Sequence, residues 1–171
     1  MADAATLPGA GRFADPLIDR LAGFVREIGI PVEPAALEAP TPCPGLYVRH
    51  GVILVDEARL AYPGDLLHEA GHVAVCEPSL RPVLEAIGDD PGEEMAAIAW
   101  SYAAAVRLRL APAVLFHEAG YRGGSQALIE AFKRDLPPGL PLLEWFGMTL
   151  GRKAAAAAGA EAFPHMLRWL R

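Results

Sequence analysis

The sequence predicts an α+β fold, mostly helical, with a small β-hairpin packed beside the helix that carries His68-Glu69-Ala70-Gly71-His72. Three observations predict it. β-branched and aromatic residues gather between Gly45 and Asp56 around a His50-Gly51 turn. Apolar residues recur at helical spacing through Leu66, Leu67, Ala70, Val73 and Ala74. Alanine-rich stretches, above all Glu93 to Leu110, favour helix elsewhere.

Taken in order, Asp15 to Ile28 reads as an amphipathic helix with Leu17, Leu21, Phe24, Val25 and Ile28 on one side. Pro31 to Pro44 is a proline-rich connector. Gly45 to Asp56 holds two short β-runs joined by a two-residue turn containing glycine. Tyr62-Pro63-Gly64-Asp65 breaks the chain, and Asp65 is placed to cap the next helix. Leu80 to Ile87 reads as a short helix, and Glu93 to Leu110 as a long buried one. Ser125 to Arg134, with Ser125 as cap, forms another. Pro137-Pro138-Gly139 turns into a helix near Leu142 to Met148, and Lys153 to Ala158 is helical by alanine propensity. No internal repeat is evident. These elements divide into an N-terminal helix and connector (1–44), a metal-binding region (45–150) and a C-terminal helical extension (151–171), within one compact domain.

Composition narrows the function. A formal net charge of −6 argues against nonspecific nucleic-acid binding through a broad basic surface. The chain is 53% hydrophobic, much of it alanine, and no apolar run reaches the length of a membrane span. Met1 to Thr6 lacks the basic and apolar blocks of a signal peptide, so a cytoplasmic location is expected. Cys43 and Cys76 do not resemble a disulfide framework: Cys76 reads as a buried apolar residue, Cys43 as a loop thiol. Trp100, Trp145 and Trp169 read as core or interface residues, and His50 and His165 as surface histidines.

The chemistry lies in His68-Glu69-Ala70-Gly71-His72. An i, i+4 pair of imidazoles projects from one helix face, so both rings can reach one metal ion. Glu69 lies about 100° round from His68, where it can address a water without binding the metal. With five His and thirteen Glu, shuffling would give this HExxH pattern in roughly one chain in a hundred. The pattern is therefore uncommon enough that its context decides. Gly71 costs about 1 kcal/mol in a helix interior relative to Ala, which points to close packing there.

Catalytic zinc takes three protein ligands and leaves a position for water. Glu93 and Glu94 are the candidates for the third. Asp90 reads as an N-cap with Pro91 at the first helical position, which puts Glu93 at the third, where a capping-box role is open to it. Glu94 shares a face with Ala97, Ile98 and Ser101, the side expected to pack inward, and is preferred, with Glu93 as the alternative. A second fragment, His117-Glu118-Ala119-Gly120, has Tyr121 where the second histidine would stand. His117 or Tyr121 can be drawn as an oxyanion donor from across the cleft, against a simpler reading as a helix end capped at Gly120.

From Gly45 to about Tyr102 the sequence resembles the zincin-like (gluzincin) metallopeptidases, in particular the ImmA/IrrE type. The resemblance rests on the hairpin ending in Val52-Ile53-Leu54-Val55-Asp56, on the HExxH pentad, and on a later helix with Ile98 and Ala99 four and five positions after Glu94. Val75 and Pro78 occupy the positions where metzincins carry a glycine and a third histidine, so that class is excluded. The resemblance implies His68, His72 and Glu94 as Zn2+ ligands and Glu69 as general base. The expected function is zinc-dependent hydrolysis of a peptide or protein substrate. Two other readings stand beside it: a non-catalytic metal-binding regulatory or protein-interaction module, and a helical interaction domain whose histidines bind nothing. The apolar segment Phe163 to Leu170 offers a surface for a second copy of the chain or another partner.

Overall fold

A computed structural model describes residues 11–85, 87–88 and 90–171. The N-terminal reading of Met1 to Thr6 lies outside the described residues. Helix α1 (Pro16–Glu27) starts where the Asp15 carboxylate accepts the Leu17 and Ile18 amides, a cap worth about 1 kcal/mol. Of the expected face, Leu21, Phe24 and Val25 are buried and Leu17 and Ile28 partly so, while Ile18 and Ala22 join the buried stripe. Three strands follow: β1 (Val32–Pro34), β2 (Leu46–Arg49) and β3 (Val52–Val55), in the sheet order β1-β3-β2. The β2–β3 hairpin turns at His50 (φ 51°) and Gly51 (φ 73°), the paired left-handed conformation that two-residue hairpins need. Strand β1, parallel to β3 with Val32 opposite Ile53, was not foreseen. It is three residues long and ends in proline, too short for an alternating pattern to show.

Helix α2 (Asp65–Val75) carries the pentad, and α3 (Pro91–Arg107) crosses it. At the crossing a β-carbon on Gly71 would lie 2.8 Å from the Ala97 carbonyl oxygen, so only glycine lets the two backbones come this close. Several alanines of α3 are buried, and at helical spacing Ala104 lies on the same face as Ala97. Beyond it come α4 (Pro112–Leu115), α5 (Ser125–Lys133), α6 (Leu140–Trp145) and α7 (Arg152–Ala158). One apolar cluster runs through the described residues from Phe13 to Met166, with Trp100 at its largest buried position. The architecture is thus α+β, with seven α-helices and a small three-stranded sheet among the described residues.

Several expectations are corrected. Leu80 to Ile87 is not a helix: only a 3-10 turn forms at Arg81–Val83, because Leu84 is already extended, and Ala86 lies outside the described residues. The helix placed near Leu142 to Met148 runs from Leu140 to Trp145 and ends before Gly147, which is left-handed at φ 66°. Gly124, not Ser125, precedes α5 as its cap. Trp145 belongs to no core, being 83% exposed. The segment Phe163 to Leu170 docks on its own chain. Thr149 bridges to Met166, the Trp100 indole donates to the Trp169 carbonyl, and the Arg171 amide donates to Ala74 at the end of α2. Among the described residues no helix is long and apolar enough to cross a membrane.

Candidate metal centre

Helical spacing puts His68 and His72 on one side of α2, and the tight crossing at Gly71 brings the first turns of α3 against them. The Nε2 atoms of the two rings are 3.2 Å apart. Glu94 Oε2 lies 3.0 Å from His72 Nε2 and 3.5 Å from His68 Nε2. Among the described residues these three form the one group of His, Cys, Asp or Glu atoms within 4.8 Å of one another. Tetrahedral zinc with bonds of about 2.0–2.1 Å would hold its ligand atoms about 3.3 Å apart. The three separations scatter around that edge length.

The electrostatics fit as well. A neutral imidazole presents a lone pair on one ring nitrogen, and both Nε2 atoms here face the same point as the Glu94 carboxylate. Glu94 is held far below the usual carboxylate range by hydrogen bonds from the His68 and His72 rings. The carboxylate form is thus the favoured one at neutral pH. His72 is 5% exposed, whereas the Glu94 side chain is 44% exposed, so the group opens to solvent on the α3 side.

Glu93 is not part of the group. Its amide donates to the Asp90 carboxylate at 2.8 Å, the capping half of the arrangement expected from Asp90-Pro91. Glu69 is also outside the three, as a residue meant to act on water must be. Burial pushes its pKa up to about 7; the His72 ring opposes the rise, and the carboxylates of Asp65 and Glu94 add to it. A carboxyl poised near neutrality can both accept and return a proton.

Tyr121 stands against His68, ring edge to face, with centroids 5.3 Å apart. Its hydroxyl is fully buried with no hydrogen-bond partner among the described residues. Burial, then the negative charges of Asp65 and Glu94, push it well above the ordinary phenol range, with Cys43 and Glu69 contributing. It is a neutral hydroxyl with an unused proton. A buried donor left unpaired costs about 1–3 kcal/mol, a cost that a bound acceptor would relieve. The donor set, its spacing and this orphaned hydroxyl all suit a tetrahedral divalent ion with a further oxygen ligand.

His117 is placed differently from the expectation. Its Nε2 is bound to Asp65 Oδ1 at 2.8 Å, and the Tyr62 ring stacks on it at 3.7 Å. It does not join the three converging ligand atoms. Nor is Gly120 a helix end, since α4 stops at Leu115 and Gly120 has φ −88°. Asp65 opens α2 but caps nothing with its side chain, which His117 occupies. This Asp65–His117 pair was missed because its members stand 52 residues apart and no local pattern links them. Cys76 is buried at the end of α2, and His50 and His165 are exposed, paired with Glu85 and Glu161. No protein-family profile, curated protein or solved structure matches the chain.

Proposed function

We propose that the protein is a zinc-dependent hydrolase that cleaves a peptide bond. The observation that carries the reading is the convergence of His68 Nε2, His72 Nε2 and Glu94 Oε2 at tetrahedral-edge separations, with Glu69 beside them. His68, His72 and Glu94 hold the ion; Glu93 stays in its capping role. The ion when bound supplies a Lewis acid that makes water a nucleophile near neutral pH and polarises a carbonyl. Glu69 takes the proton of the attacking water and hands it to the departing amine. The Tyr121 hydroxyl donates to the oxygen on which negative charge develops. Strand β2 lies at an edge of the sheet and against α2, and its free side can pair with an extended peptide.

The test is a pair of measurements on purified protein. Elemental analysis is expected to give one zinc per chain, lost in His68→Ala. Glu69→Gln is expected to keep the zinc and abolish hydrolysis of an unfolded protein substrate. A zinc-loaded Glu69→Gln protein that still hydrolyses would refute the role of Glu69, and a wild-type chain that takes up no zinc would refute the centre.

One observation favours a second reading, a metal-holding regulatory or interaction module that does not cut. The loop bearing Tyr121 packs directly on His68 and buries its own hydroxyl there. Stoichiometric zinc without turnover of any peptide in a library would select that reading.

A further inference from the structure

Residues 117–125 form a loop that is closed on itself. The Ser125 hydroxyl donates to the His117 carbonyl at 2.6 Å and reaches the Gly120 carbonyl at 3.3 Å. Within it the Gly120 amide donates to His117, Gly123 to Gly120, and Gly124 to Tyr121. Tyr121 (φ 53°) and Arg122 (φ 52°) are consecutive left-handed residues, neither of them glycine. Each such residue costs roughly 1 kcal/mol or more, so this backbone persists only where its surroundings hold it. The conformation turns the Tyr121 ring inward, between Phe116 at 5.1 Å and His68 at 5.3 Å.

What holds the loop to α2 is narrow. Among the described residues the one side-chain hydrogen bond between them is His117 to Asp65, at the first residue of α2. Both side chains are mostly buried, at 10% and 18% exposure, and the Tyr62 ring lies flat on the outer face of the imidazole, 4° from parallel. A flat stack and a carboxylate bond fix a ring in all three rotations, so His117 is an anchor and not a free acid or base. We propose that Asp65, His117 and Tyr62 form a clasp whose task is to position the Tyr121 hydroxyl beside His68. His117 is thus a positioning residue that acts through Tyr121. The proposal rests on the metal-centre reading for its purpose, but the clasp itself can be measured without the metal.

The experiment compares wild type, Tyr121→Phe, His117→Ala, Asp65→Asn and Tyr62→Ala. The Tyr121 contribution to the near-ultraviolet circular dichroism is defined, in metal-free protein, as wild type minus Tyr121→Phe. His117→Ala is expected to lose that contribution, while Asp65→Asn, which keeps an acceptor oxygen for Nε2–H, retains it. Retention in a folded His117→Ala protein would overturn the clasp. If His117→Ala fails to fold, Tyr62→Ala compared with Tyr62→Ala/Tyr121→Phe gives the same decision, because that pair differs only at Tyr121 and Tyr62 is 41% exposed and outside the core. In cobalt-loaded protein, the visible bands are expected to persist in His117→Ala, with altered intensity like that of Tyr121→Phe. With zinc, kcat is expected to fall about 100-fold while KM stays near its wild-type value. Unchanged kcat in a variant that has lost the tyrosine signal would also overturn the proposal. Failure of the wild type to bind cobalt would sink the metal centre and leave the dichroism arm to decide the clasp.

Discussion

Gly71 on α2 faces Ala97 on α3 so closely that no β-carbon fits between them: its nearest atom would be backbone, the Ala97 carbonyl oxygen, at 2.8 Å. His68 stands one turn before Gly71 and Glu94 one turn before Ala97. The separation of the helices at the crossing therefore sets the separation of the imidazoles from the carboxylate.

Gly71→Ala should part the two helices. The substitution gains about 1 kcal/mol of helix propensity but meets overpacking of about 1–3 kcal/mol against backbone that has little room to yield. Net destabilisation and weaker zinc binding are expected, read by thermal melting and metal titration. Gly23→Ala is the control. Gly23 lies inside α1 with nothing within 4 Å of its added β-carbon, so it should stabilise by about 0.5–1 kcal/mol. Equal effects at the two sites would contradict the crossing geometry.

Glu94→Gln should weaken zinc binding by more than about 100-fold, beyond the loss typical of a residue that only supports a ligand. Glu93→Gln should leave zinc affinity as it is. Its amide still donates to Asp90, and its side chain is not part of the ligand group. Competition titration with a chromophoric chelator reads both, and reversed ranking would reassign the third ligand.

The pH dependence of stability should carry the mark of Glu69. Its folded pKa of about 7 stands above the ordinary value of 4.5, so the unfolded chain ionises first as pH rises. Stability is lost across that window, not gained. In chelator-treated protein, Glu69→Gln should be more stable than wild type by about 2–3 kcal/mol at pH values above ~7, with the advantage gone below pH ~4.5. Urea midpoints across the range check it, and an advantage confined to acid pH would reverse the sign of the argument.

Both thiols should be sluggish. Burial, followed by the carboxylates of Asp65 and Glu69, raises Cys43 above the usual thiol range, and burial followed by Glu93 raises Cys76. Less thiolate means slower alkylation than in the urea-unfolded chain at neutral pH. Rapid labelling of either cysteine in the native protein would show that its surroundings are more open than described.

What the sequence disclosed followed from locality. Two imidazoles four residues apart must share a helix face, and the tight hairpin is legible in His50-Gly51. Asp90-Pro91 fixed the phase of α3 closely enough to favour Glu94 over Glu93. What stayed hidden depends on partners distant along the chain. Strand β1 finds its place only through β3, some twenty residues on, and Asp65, read as a cap, is taken by His117. The short helix expected at Leu80 to Ile87 gave way because Pro82 and the extended Leu84 leave room for a single turn. The segment Phe163 to Leu170 looked like a free surface because Trp100, which receives Trp169, lies 69 residues away.

The far end of α2 has a consequence in time. Its last carbonyls, from Ala74 and Val75, are met by the Arg171 amide and guanidinium, the latter across 96 residues of chain. A ribosome adding about 5–20 residues per second needs roughly 5–20 seconds to cover that distance. Glu94 emerges within the first seconds after His72, whereas Arg171 arrives long after. The Val75 carbonyl thus waits for Arg171 through most of the later synthesis, whereas the Ala74 carbonyl is also met by the Arg81 guanidinium, only seven residues on.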